Sequence, residues 1–310
     1  MKERGRSRSE PVDGLLLLNK PAGLTSNQAL QRVKRLLNAK KAGHTGSLDP
    51  AATGMLPLCF GEATKVCAYL LDADKTYRVT ARLGIATDTG DADGVEVERA
   101  DVPEMSKEQW SAALQKFLGE SMQIPPMYSA LKKNGIRLYE MARKGETIER
   151  DPRPMRIDEI DLLEIAGSRL VFRVSCSKGT YIRVLVEDLA RANGTVAHTA
   201  NLHREIVGDF QEDDMLDLSA LEAAAEQGVA TLRAHLLAPD VALGRLSAVS
   251  VTTADAQRFS SGQVISLAAT DVAGLVRVYE MDHGFLGVGE LSEDCQLAPR
   301  RVFLSGEKIS

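Results

Sequence analysis

One stretch of the 310-residue chain concentrates groups able to do chemistry: GHTGSLDPAATG, Gly43 to Gly54. It sets one carboxylate, Asp49, and one imidazole, His44, among glycines, small residues and a proline. Neither a helix nor a strand needs that mixture. An ordinary aspartate, with a pKa near 3.9, is ionised at neutral pH and can serve as nucleophile or base. Asp-Pro is also a common turn, because the carboxylate bonds its own backbone. Taken alone, Asp49 reads first as a turn residue and second as a catalyst. Other chemistries lack their signatures. There is no G-x-S-x-G elbow, no P-loop and no G-x-G-x-x-G. The acid-rich TDTGDADG lacks the ligand spacing and terminal Glu of an EF-hand loop and reads as a solvated turn. A metal-dependent hydrolase built on its Asp88, Asp91 and Asp93 is the alternative from another class.

The elements that must position Asp49 are legible on both sides. GLLLLNKPAG reads as a buried strand ending in a Lys-Pro turn. Thr25 and Gln28 have capping-box spacing. Ala29, Leu30, Val33, Leu36 and Leu37 then form one helical stripe, with Gln31, Arg32, Lys34 and Arg35 opposite. After the loop, MLPLCFG predicts a short strand and EATKVCAYLLDADK a helix. In TYRVTARLG, Tyr77, Val79, Ala81 and Leu83 alternate with Arg78, Thr80 and Arg82, a strand with one apolar face. SKEQWSAALQKFLGE predicts an amphipathic helix. Residues 123–156 are rich in proline and charge and read as a long, partly mobile insertion. RLVFRVSCSKGTYIRVLVEDLARANG predicts a strand, a turn and a helix, with Gly194 at the helix end. Short β-like runs from 248 to 306 suggest a small all-β module.

Composition is that of a globular protein, 44% hydrophobic and 26% charged. No apolar run reaches the roughly 18 to 20 residues of a membrane helix, and no signal peptide is visible, so a cytoplasmic protein is expected. Cys59, Cys67, Cys176 and Cys295 form no C-x-x-C pair and read as buried free thiols. His198 and His203 do not have zinc spacing. The net charge of −5 is unevenly spread. Residues 1–207 hold 31 Lys and Arg against 27 Asp and Glu, while residues 208–310 hold 7 against 16. From Gly14 to Leu48 there are six basic residues and no acid. From Lys132 to Arg156, eight basic residues face four acidic ones. Such blocks suit a polyanion, or are solvated helix faces.

The whole pattern decides between these readings. GHTGSLDPAATGMLPLCFGEATK closely resembles the central motif of the tRNA pseudouridine-55 synthases, the TruB family. LLLNKPAGLTS is similar to that family's Lys-Pro motif, KTYRVTARLG to its tyrosine strand, IPPMYSALKKNG to the start of its RNA-gripping insertion, and SKGTYIRVLVEDL to its third motif. The segments occur in the family's order across most of residues 13–210.

The resemblance implies an α+β fold of pseudouridine synthase type: a mixed, mainly antiparallel sheet with flanking helices over residues 13–245. It also implies a C-terminal all-β module of PUA type at 248–306; the composition of the N-terminus separately predicts a disordered tail at 1–12. The implied reaction converts uridine in the T-loop of tRNA to pseudouridine in place. The N1 glycosidic bond breaks, the uracil turns and C5 bonds to the ribose, with no cofactor and no metal. The implied partner is tRNA, through T-loop and T-stem, with no membrane, protein partner or guide RNA, and a monomer is expected. Asp49 falls on the family's catalytic aspartate. Arg183 would pair with it and orient it. Tyr77 would stack on the flipped base; burial on its strand is the plain reading, and one residue can satisfy both. His44 would enter the space the base leaves, where a buried structural histidine is otherwise expected. Tyr181 would contact the target nucleotide, Leu202 would pack against the base, and Lys20 with Pro21 would support the site wall. The glycines would give the RNA room to approach. One departure is visible: two basic residues and an apolar one usually follow Leu202 in the family, for local RNA contact, and here the run is His203, Arg204, Glu205. Two rivals stay on the same fold: an RNA-binding protein without catalysis, and a guide-RNA-dependent synthase.

Overall fold

The computed structural model describes residues 10–133, 135–281 and 284–303. The strands in chain order are β1 (Gly14–Lys20), β2 (Ala42–His44), β3 (Thr53–Phe60) and β4 (Lys75–Leu83). A hairpin of β5 (Ile85–Thr87) and β6 (Glu96–Arg99) follows, then β7 (Gly119–Gln123). A second hairpin, β8 (Lys132–Lys133) and β9 (Ile136–Arg137), precedes β10 (Arg153–Ala166), β11 (Arg169–Cys176), β12 (Ala197–Val207) and β13 (Leu216–Asp217). These build a nine-stranded sheet in the order β13-β1-β3-β12-β4-β11-β10-β7, with β2 on β3. Only the β1–β13 and β3–β12 ladders are parallel, so the sheet is mixed and mainly antiparallel, as expected.

The helices beside it are α1 (Ser26–Leu36), α2 (Cys67–Asp72), α3 (Lys107–Gln115), α4 (Leu138–Ala142), α5 (Ile182–Ala192), α6 (Leu218–Gln227) and α7 (Val229–Arg233). The leucine run of β1 is buried on both faces. Leu16 and Leu18 pack with α1 and α6, and Leu15 and Leu17 pack with Met55, Val207 and Phe210. On β4, Val79, Ala81 and Leu83 meet Leu185, Val186 and Leu189 of α5 and Trp110 of α3. Helix α1 starts at the Thr25–Gln28 capping box, and Gly194 follows the end of α5 with φ +75.

The structure corrects several expectations. The tail predicted to be disordered to residue 12 is tied down at its end: Glu10 N–H donates to Asn38 O at 2.9 Å, and Val12 is buried in the core. Residues 1–9 of that tail lie outside the described residues. The helix expected over EATKVCAYLLDADK is a 3-10 turn, Gly61–Val66, followed by the short α2. The insertion is less irregular than its composition suggests, holding β8, β9 and α4.

The C-terminal sheet is β14 (Ser247–Val251), β15 (Ile265–Ser266), β16 (Gly274–Glu280), β17 (Gly284–Leu291) and β18 (Gln296–Val302), ordered β14-β16-β17-β18-β15. It carries a helix, α8 (Thr253–Ser260), that the strand pattern does not include; Phe259 of α8 is wholly buried against the sheet. The last residues expected there, 304–306, lie outside the described residues. Val288 and Phe303 pack on Val66 and Leu243, and Lys65 Nζ donates to Val302 O at 2.6 Å.

Candidate active site

Asp49 sits in the loop between β2 and β3, and that loop is held from three sides. From α1, Ser26 Oγ accepts from Leu48 N–H at 2.8 Å and lies 3.1 Å from Leu48 O. From β1, Lys20 Nζ donates to Pro21 O at 2.8 Å, Leu24 O at 2.7 Å and Pro50 O at 3.2 Å. From β12, Arg204 donates to Met55 O at 2.6 Å and to Gly46 O at 2.9 Å. Pro50 fixes the backbone after Asp49. Lys20 is wholly buried, which pushes its ammonium down to about 8 against the pull of Asp49.

Arg183 is the second residue of α5. Ile182, Leu185, Val186 and Leu189 bury the inner face of that helix, so its first turn is fixed over the sheet. A cation in a first turn opposes the helix dipole, so local propensity does not explain Arg183. Its partners do. Nε lies 3.0 Å from Asp49 Oδ2. Nη1 donates to Thr89 O at 2.7 Å and Nη2 to Tyr128 O at 2.7 Å. Nη1 is also 3.8 Å from Asp91 Oδ2. The Arg183 side chain is only 7% exposed, whereas the Asp49 side chain keeps 44%. One edge of the carboxylate is gripped and the other is open.

Burial pushes the Asp49 carboxyl above the usual range, with Asp91 and Asp93 adding to it, while Arg183 and Lys20 pull it down. The open edge keeps water at the carboxylate and limits that push. The sequence reading left the Asp91 turn in solvent. The structure docks it instead: Thr199 N–H donates to Gly90 O at 2.9 Å, pinning the turn to β12 and bringing Asp91 to Arg183. Among the described residues no cluster of His, Cys, Asp or Glu is arranged to hold a metal ion.

Tyr77 lies on β4 opposite Arg204 in the ladder, half-buried against the core. Burial pushes its phenol up, against the pull of Arg204, so the ring is neutral at neutral pH. Leu202 stands on β12 opposite Val79 and packs on the same cluster. Tyr181 precedes α5 and is bracketed by Gln123, whose side chain accepts from Tyr181 N–H at 2.8 Å and donates to Tyr181 O at 3.1 Å. Burial raises the Tyr181 phenol as well. His44 ends β2; burial, aided by Arg204, lowers its imidazole below the ordinary value, so it is neutral at pH 7. Its Nδ1 is buried with no hydrogen-bond partner among the described residues.

Gly54 has another use than expected. A Cβ on Gly54, whose φ is +99, would stand 2.3 Å from Arg204 O. The space at Gly54 belongs to β12, not to an approaching RNA. The run after Leu202 also turns inward. Arg204 is buried, Glu205 accepts from Arg173 Nε at 2.7 Å, and His203 Nδ1 is 2.7 Å from Thr53 Oγ1. The departure from the family pattern puts a local RNA contact by this run in doubt, and the burial of Arg204 and Glu205 agrees with that. Sequence reasoning missed Asp91, Arg204, Gln123 and the carbonyls of Thr89 and Tyr128. Only Asp91 and Arg204 carried any signal, an acidic turn and a basic run.

The arrangement is a half-open carboxylate held by a buried, fully engaged guanidinium, with two neutral aromatic rings on nearby elements. Residues 34–182 match the TruB family pseudouridylate synthase N-terminal domain, 183–244 the tRNA pseudouridylate synthase B C-terminal domain, and 247–303 the C-terminal domain of pseudouridine synthase II TruB. The chain belongs to the TruB family. It is 46% identical to the tRNA pseudouridine synthase B of Nitrosococcus oceani, over 98% of this chain and 99% of that one. It is 50% identical to the tRNA pseudouridine synthase B of Dechloromonas aromatica, over 94% and 95%. An archaeal box H/ACA Nop10–Cbf5 complex shares the fold, with TM-score 0.70 and 25% identity over 95% of this chain and 87% of that one. An H/ACA ribonucleoprotein bound to a substrate RNA containing 2′-deoxyuridine gives TM-score 0.72 at 24% identity, over 94% and 85%. Membership makes the chain an isomerase that forms pseudouridine.

Proposed function

We propose that the chain isomerises uridine-55 in the T-loop of tRNA to pseudouridine, alone, as a monomer in the cytoplasm, without metal, cofactor or guide RNA. The target base leaves the loop, at a cost of roughly a few kcal/mol. His44, neutral and flat, fills the space left behind, and Tyr77 stacks on the flipped uracil. Tyr181 contacts the nucleotide, and Leu202 packs against the base. Asp49 then drives the break of the N1–C1′ bond. The freed uracil turns, C5 bonds to C1′, the C5 hydrogen leaves as a proton, and N1 takes up a proton in its place. Whether Asp49 first bonds the ribose or the base, or removes the 2′ proton, it needs an ionised oxygen held in one place. Residues 13–245 carry this chemistry, with 123–156 gripping the RNA and 248–306 as an appended module.

One observation carries the reading: Arg183 is buried and satisfied on all sides, yet the Asp49 it grips keeps an open edge. A purely structural ion pair has no use for that asymmetry. The relatives named tRNA pseudouridine synthase B support the choice of tRNA. The C-terminal module is a weaker candidate for RNA contact. Arg277 donates to Leu246 O at 3.0 Å, Arg258 lies 3.5 Å from Asp255, and Arg300 is paired with Glu290.

The test is incubation of the purified chain with an unmodified tRNA transcript, followed by chemical mapping of pseudouridine. A single new pseudouridine in the T-loop, absent with Asp49→Asn, is expected. Unchanged turnover by Asp49→Asn would falsify the role of the carboxylate. Activity that appears only with a guide RNA would remove the stand-alone reading.

A further inference from the structure

We infer that Arg204 is a positioning residue for the reaction, tying both ends of the Asp49 loop to strand β12. The inference rests on Asp49 being the reacting carboxylate. Arg204 exposes only 1% of its surface. Burying a guanidinium costs several kcal/mol unless its donors are satisfied. Here two of its five donors go to backbone carbonyls, Nε to Met55 O at 2.6 Å and Nη2 to Gly46 O at 2.9 Å, and the side chain also hydrogen-bonds Tyr77. Those two carbonyls flank the loop that carries Asp49. One rigid, planar fork therefore sets the separation of the loop's ends.

The same segment of β12 holds the loop in two further ways. His203 pairs with Thr53 and Arg204 with Gly54 in a parallel ladder, and His203 Nδ1 lies 2.7 Å from Thr53 Oγ1. The close approach depends on Gly54, where a Cβ would meet Arg204 O at 2.3 Å. Arg204 also stands opposite Tyr77 in the β12–β4 ladder. One side chain thus relates the loop of Asp49 to the strand of Tyr77. A buried Arg204 has no face for a phosphate, so its effect on the reaction runs through the loop and not through RNA binding.

Lysine distinguishes positioning from mere stapling of the fold. Arg204→Lys keeps the charge and most of the volume, but its single nitrogen cannot span both carbonyls. The experiment measures tRNA affinity, thermal melting and the single-turnover rate of pseudouridine formation at saturating tRNA. For Arg204→Lys we expect cooperative melting, affinity within about threefold of wild type, and a rate per folded molecule lower by about 10²-fold, the effect of an ångström-scale displacement. A wild-type rate per folded molecule overturns the inference, and so does weaker tRNA binding with an unchanged saturated rate. Thr53→Val, which puts a methyl in place of the hydroxyl bonded to His203 and so loosens the same β12 attachment, covers the case in which Arg204→Lys fails to fold. It should slow the saturated rate about fivefold, the worth of one hydrogen bond, and an unchanged rate overturns the inference. Wild-type protein that makes no pseudouridine overturns the functional reading as well, whereas an active wild type with an unaffected Arg204→Lys sinks this inference alone.

Discussion

Replacing Arg183 by lysine keeps the positive charge beside Asp49 and removes the geometry. The guanidinium uses Nε for Asp49 at 3.0 Å, Nη1 for Thr89 O at 2.7 Å and Nη2 for Tyr128 O at 2.7 Å. A lysine nitrogen that reaches Asp49 abandons both carbonyls, which sit in a part of the fold where the arginine side chain is 7% exposed. Hydrogen bonds from a charged group are worth about 1.5–3 kcal/mol each, so about 3–6 kcal/mol of anchoring is lost. An unanchored ammonium lets the carboxylate move, and a displacement of about 1 Å costs about 10²-fold in rate. If all of the lost anchoring reappears in the barrier, the rate falls by about 10² to 10⁴. Conversion of uridine to pseudouridine releases the C5 hydrogen, so tRNA carrying tritium at uracil C5 reports the single-turnover rate as label released to water. Arg183→Lys should bind that tRNA with affinity within about threefold of wild type and release label at least about 10²-fold more slowly. A rate within about threefold of wild type refutes the argument that geometry, rather than charge, is what Arg183 supplies.

Three further outcomes follow from the same structure. The Asp49 carboxyl is raised by burial and by Asp91 and Asp93, so the single-turnover rate should fall on acidification at a pH above the ordinary aspartate range. Asp91→Asn removes a charge that raises Asp49 and should move this acid limb to lower pH; an unmoved limb in a pH–rate profile counts against the electrostatics. Gly54→Ala places a Cβ 2.3 Å from Arg204 O at a φ of +99, and should destabilise the fold by about 3 kcal/mol or more, read as a fall in the denaturation midpoint at unchanged slope. Affinity for tRNA should fall steeply between about 50 and 200 mM salt, because the basic blocks meet phosphates; a flat binding isotherm series would contradict it.

How much of this was legible without coordinates differs from element to element. The apolar alternation of Tyr77 to Leu83 and the 182, 185, 186, 189 spacing of α5 are local patterns, and local patterns reach the fold intact because each buries one face. The Thr25–Gln28 box likewise capped α1 where its spacing said it would. Asp49 and Arg183 were named through the motifs that resemble the TruB family, and the structure brings them to 3.0 Å across 134 positions of chain. The acidic turn was misread for a physical reason. Composition cannot distinguish a solvated carboxylate from one docked by a backbone bridge to a distant strand, as Gly90 and Thr199 dock Asp91.

Arg204 shows the same limit more sharply. Nothing in the run after Leu202 marks Arg204 as a buried residue, yet the β12 strand that pairs with β3 buries it. A parallel ladder joins segments 150 residues apart and leaves no periodic trace in either one. By itself the sequence determined the strands and helices with one apolar face, the basic blocks, and the motif that carries Asp49, because each is written in neighbouring residues. Only the tertiary structure decided which side chains face that carboxylate and which hold its loop, because those contacts are made between segments that share no local signal and meet only when the sheet closes.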